Sequence, residues 1–159
     1  MNDPIEAAAP AARALADALL ARRLRLVTAE SCTGGLIAGA CTALAGSSEW
    51  FERGMVSYSN ESKTELLGVP ADLIARHGAV SEEVARAMAE GALTHSHADL
   101  ALAVTGIAGP TGGSPAKPVG TVWLAWARTG GVTGARLLQL HGDRAAIRLQ
   151  TVLLALDAG

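Results

Sequence analysis

The sequence predicts an α/β fold: a three-layer α/β/α sandwich on a five-stranded mixed sheet. Three observations predict it. Apolar residues recur at helical spacing in some segments, and short apolar or alternating runs lie between them. The first three such runs are separated by helical patterns, as parallel neighbours joined by crossovers must be. The last two flank a short glycine turn, a hairpin signal that places antiparallel strands at one edge.

Taken in order, residues 4–23 are alanine-rich with Leu15, Leu19 and Leu20 on one face, and predict a helix. Residues 24–29 form the first strand. Residues 35–45 read as a helix closed by Gly46, followed by a capped turn at 47–51. Trp50 and Phe51 fit either a core or an interface, where aromatic residues gather. A second strand is expected over residues 54–60, a helix over 61–67 and another after Pro70. Ser81 caps a longer helix with Glu82 and Glu83 in its first turn, where acidic groups complement the dipole. His95 and His97 near its end read as ordinary histidines, since no cysteine or carboxylate set completes a metal site. Residues 100–104 form a buried strand that opens into a loop at 105–115 with four glycines and two prolines. Strands at 120–128 and 135–140 make the hairpin. Gly142, Asp143 and Arg144 start the final helix.

The chain has 159 residues, enough for one domain with a real core, expected to span residues 1–159. Hydrophobic residues make up 50% and charged residues 18%, a globular balance. The net charge is -2 without a Lys/Arg-rich run, which argues against a nucleic-acid partner. No apolar run approaches the roughly 20 residues of a membrane helix. The start of the chain carries Asp3 and Glu6 and lacks the pattern of a signal peptide. Cys32 and Cys41 lie too close for a useful loop-closing bridge, so a cytoplasmic location is expected. Only two of the 13 basic residues are lysines, Lys63 and Lys117. A lysine, unlike an arginine, can lose its proton when desolvated and act as a base. For Lys117, chance in a small sample is the simpler account.

Three polar, glycine-containing loops follow strands: one at 31–35, one at 58–63 and one at 105–113. In open α/β sheets ligands bind beyond the carboxyl ends of strands, so parallel strands would bring these loops together. The first loop, TAESCTGG, carries Ser31, Cys32 and Thr33 before Gly34 and Gly35. Its hydroxyls fit a nucleophile at a helix start or a plain helix cap. The converging set is Ser31, Thr33, Tyr58, Asn60, Lys63 and Thr105, in which Lys63 is the one titratable amine. Residue types thus point to Ser31 as nucleophile, Lys63 as base, Tyr58 as relay or orienting group, and helix-start amides at Thr33, Gly34 and Gly35 as an oxyanion hole. Cys32 is a rival nucleophile without a histidine to activate it. No metal and no cofactor are called for.

TAESCTGG at 28–35, YSNESK at 58–63, GAVSEE at 78–83, TGIAGPTGG at 105–113, KPVGTVW at 117–123 and GDR at 142–144 resemble the CinA C-terminal domain family, in order and over nearly the whole chain. The resemblance implies a nicotinamide-nucleotide amidohydrolase, which deamidates nicotinamide mononucleotide to nicotinic acid mononucleotide and ammonia. It implies Ser31 as nucleophile, Lys63 as base, a homodimer, no metal, and no activity of the N-terminal domain that longer relatives carry. The nucleotide's phosphate would lie against amides between Gly106 and Gly109, or against Arg144. Two alternatives are a nucleotide-binding module without catalysis and an interaction subunit using Trp50, Phe51, Trp123 and Trp126.

Overall fold

A computed structural model describes residues 3–158; residues 1, 2 and 159 of the expected 1–159 unit lie outside the described residues. The first helix, α1, spans Pro4–Arg22, with the Asp3 carboxylate accepting from the Ile5 amide at 2.9 Å. Proline at the first helical position costs nothing there, because its missing N–H would have had no partner. Arg23 in the left-handed region ends the helix and releases the chain into β1, Leu26–Glu30. Then come α2 (Leu36–Thr42), a short 3-10 turn (Ser47–Glu49) and β2 (Phe51–Val56). Next are α3 (Asn60–Leu67), α4 (Ala71–His77), α5 (Glu82–Thr94) and β3 (Leu100–Gly106). The hairpin of β4 (Thr121–Arg128) and β5 (Gly134–Gln139) precedes α6, Arg144–Ala158.

The sheet is five-stranded and mixed, in the order β2-β1-β3-β4-β5. β1 pairs in parallel with β2 and with β3, while β3, β4 and β5 pair antiparallel in succession. Each face of the sheet carries an apolar layer. Leu26, Leu102, Val104, Val122 and Leu124 face α1, α2 and α6 through Leu15, Ile37 and Ile147. Val27, Ala29, Ala101, Ala103 and Ala125 face the other layer through Leu67, Val84 and Met88. The alternation along β4 therefore sends Val122 and Leu124 to one layer and Ala125 and Ala127 to the other, as the pleat requires.

The second strand lies three residues earlier than the expected 54–60. Pairing with β1 begins at Phe51, opposite Leu26, and ends at Val56, because Ser59 leaves the sheet to cap α3. Trp50 is buried in the core, in an edge-on contact with Phe51 at 6.3 Å between ring centres, so it is not an interface residue. His95 turns its ring back onto the Gly91 carbonyl at 2.8 Å. Lys117 has a definite place: its ammonium donates to the His77 carbonyl at 2.9 Å, at the C-terminal end of α4 where the helix dipole favours a cation.

Candidate active site

The parallel arrangement of β2, β1 and β3 sets their carboxyl ends side by side, and the loops leaving them enclose one cleft. The cleft has a volume of about 210 Å³ and is lined by Ser31, Tyr58, Asn60, Lys63, Thr105, Gly106 and Arg144, together with Cys32, Ala79, Val80 and Ala108. Seven of the residues expected from the sequence therefore meet in one place. Four do not line it. Thr33 is fully buried and gives its hydroxyl to Glu30. The Gly34 amide is spent on the Ser31 carbonyl at 3.1 Å. Gly35 approaches Val56, and Gly109 offers its carbonyl to Arg144 at 2.7 Å. Cys32, Gly106 and Ala108 line the cleft with Ser31 instead.

Ser31 sits at the first position beyond β1, its amide bonded to the Val104 carbonyl of β3 at 3.1 Å. Lys63 comes from the first turn of α3, which starts where the Ser59 hydroxyl accepts from the Ser62 amide at 3.0 Å. The Lys63 side chain is buried, and its Nζ lies 3.0 Å from Ser31 Oγ, 2.9 Å from the Ser57 carbonyl and 3.1 Å from the Tyr58 carbonyl. Among the described residues no carboxylate pairs with it. Burial therefore holds the Lys63 amine below its ordinary value of 10.5, with a smaller opposing pull from Cys32. A neutral amine keeps two N–H groups, which the two carbonyls take. In that form the lone pair would be left for the Ser31 hydroxyl, as proton abstraction requires.

The rival thiol is disarmed. Burial pushes Cys32 up to about 11, so its thiolate is scarce near neutrality. Tyr58 enters through its backbone rather than its ring: the carbonyl holds Lys63, while the exposed phenol lies 3.4 Å from the Arg144 guanidinium. Thr105 donates its hydroxyl to the Ala79 carbonyl at 2.9 Å, which ties the end of β3 to the segment before α5.

Two residues near the nucleophile escaped the reading of the sequence. Glu30 is buried, and its carboxylate accepts from the Thr33 hydroxyl, the Ile37 amide (2.9 Å) and the Ala38 amide (2.9 Å). It fills the start of α2, so amides there that would otherwise suit an anion are already engaged. Arg148 of α6 donates to the Cys32 carbonyl at 3.1 Å and to the Thr33 carbonyl at 3.2 Å. The acid stands within TAESCTGG, where its run of polar neighbours gave no separate signal. The arginine is more than a hundred residues away and gave none.

Residues 8–158 match the CinA C-terminal domain family. The chain belongs to that family. It is 59% identical over 133 residues to the nicotinamide-nucleotide amidohydrolase PncC of Pseudomonas putida, covering 84% of this chain and 82% of that protein. The Escherichia coli K12 protein of the same name is 53% identical over 140 residues, covering 88% and 85% of the two chains. A CinA-like protein of Akkermansia muciniphila is 58% identical over 125 residues, but this chain spans only 30% of its length. Among solved structures, the competence/damage inducible protein CihA of Agrobacterium tumefaciens superposes with a TM-score of 0.93 at 45% identity, over 99% of this chain and 94% of that one. That superposition covers this chain's α/β fold with its mixed five-stranded sheet.

Proposed function

We propose that this CinA-family chain is a nicotinamide-nucleotide amidohydrolase, converting nicotinamide mononucleotide and water to nicotinic acid mononucleotide and ammonia. The observation that carries the reading is the 3.0 Å approach of a buried, unpaired lysine amine to the Ser31 hydroxyl within a cleft. The names of the relatives, PncC amidohydrolases of similar length, support it.

In this mechanism Ser31 Oγ attacks the carboxamide carbon as neutral Lys63 takes its proton. Backbone amides of the cleft wall, not the engaged start of α2, hold the resulting oxyanion. Collapse of the tetrahedral adduct expels ammonia, which leaves with the proton that Lys63 returns. Water then adds to the ester, with Lys63 again as base, and releases the acid and the Ser31 hydroxyl. Arg144 at the cleft mouth is the cation for the substrate phosphate. The chain acts in the cytoplasm as a homodimer, and its two buried free thiols suit a reducing compartment.

Incubation with nicotinamide mononucleotide tests the reading directly. Release of ammonia with formation of the acid nucleotide is expected, and loss of both in folded Ser31→Ala. Ligand-induced thermal stabilisation without turnover in the unaltered chain would replace the enzyme with a nucleotide-binding module.

A further inference from the structure

The turn that presents Ser31 is held from within by Glu30, which takes the Thr33 hydroxyl and two amides of α2, and by the Gly34 amide on the Ser31 carbonyl. Gly34 and Gly35 both adopt left-handed conformations, open to few residues but glycine, and α2 begins without a side-chain cap from its N-cap residue Gly35. What grips the turn from outside is α6. Arg148 reaches across to the carbonyls of Cys32 and Thr33, the two residues that follow the nucleophile. One helical turn earlier, Arg144 donates to the Gly109 carbonyl of the 105–115 loop. Residues four apart share a helix face, so a single face of α6 braces two walls of the cleft. Among the described residues Arg148 takes part in no ion pair, and the hydrogen bonds of its guanidinium go to these two carbonyls.

We propose that Arg148 is a positioning residue for catalysis: its two-point grip on Cys32 and Thr33 fixes the direction in which Ser31 Oγ meets Lys63 Nζ. The proposal rests on the amidohydrolase reading, with Ser31 as the attacking group. It does not require Arg148 to touch substrate, and Arg148 does not line the cleft. A guanidinium suits the task because its rigid fork holds two carbonyls at once, which the single ammonium of a lysine does less well.

The experiment compares the unaltered chain with Arg148→Ala and Arg148→Lys, well below the melting temperature of each. One readout is steady-state ammonia release from nicotinamide mononucleotide. The other is the rate at which a small sulfonyl fluoride modifies Ser31, followed by mass spectrometry. Loss of position predicts that kcat falls about 100-fold in Arg148→Ala while KM is nearly unchanged, since small displacements of reacting groups have costs of that order. Ser31 labelling should slow in parallel, and Arg148→Lys should recover only part of both rates. Should Arg148→Ala fail to fold, Arg148→Lys carries the comparison. A folded variant that keeps kcat and labelling rate, with only a lower melting temperature, overturns the proposal. So does a rise in KM at constant kcat, the signature of a substrate contact. If the unaltered chain is labelled at Ser31 but releases no ammonia, the substrate reading fails and the labelling rates still judge Arg148. If Ser31 is not labelled at all, both fail.

Discussion

Around its nitrogen Lys63 has two carbonyls and one hydroxyl, and no acid, among the described residues. With no acid to oppose it, burial lowers the cost of the neutral amine relative to the ammonium. Lys63→Arg should keep the fold by circular dichroism and lose about 10²–10⁴ in turnover, because arginine cannot give up its proton. Near-normal ammonia release from that variant would end the base assignment. As pH rises toward the ordinary lysine value of 10.5, kcat/KM should rise as the amine deprotonates, with a midpoint below that value. Cys32→Ala should turn over at close to the unaltered rate, since burial pushes that thiol up to about 11 and leaves it protonated. Residue types alone paired Ser31 with Lys63, because a nucleophile without histidine or metal needs an amine and only two lysines are present, and the structure sets the two side chains 3.0 Å apart. Glu30 and Arg148 were not legible. Their roles are hydrogen bonds to backbone, which any acid or arginine in the chain offers equally well until the fold chooses.

The elements that carry the dyad are held at defined places. α3 brings Lys63, and α5 packs against α3 where Gly91 meets the Leu67 carbonyl so closely that a Cβ would collide with it. Gly91→Ala should push α3 away from α5, cost about 1–3 kcal/mol in chemical denaturation as overpacking does, and lower turnover through Lys63. α2 is held through Glu30. Glu30→Gln turns an amide N–H₂ toward groups that already donate, so a loss of about 1–3 kcal/mol is expected in the same assay. Element type followed from periodicity and caps: Ser81 accepts from the Val84 amide at 3.3 Å, and Asp143 from the Ala146 amide at 2.9 Å. The register of β2 did not. Phe51 looked like the end of a turn and became a strand residue because Leu26 pairs with it, a long-range choice that local sequence does not carry.

Across the whole molecule the sheet changes character at β3, parallel on one side and antiparallel on the other. The alternation of helices and strands, then a hairpin, made that change readable from the sequence, because crossovers and tight turns each permit one strand direction. A depressed lysine also leaves its mark on global stability. In the native state Lys63 releases its proton below 10.5, where the unfolded chain still holds one. Across that window the unfolded state binds more protons, so the free energy of unfolding gains from rising pH. Urea titrations at a series of pH values should show this gain in the unaltered chain and a smaller one in Lys63→Met. The scarcity of lysine has a practical sequel. With Lys63 and Lys117 alone in the chain, a sample grown on lysine enriched in carbon-13 at the ε position has two such signals. Lys117, at the helix end beside His77, supplies the reference line. The other line reads the charge of Lys63 directly, so its movement on adding nicotinamide mononucleotide would show whether ligand binding changes the protonation of that amine.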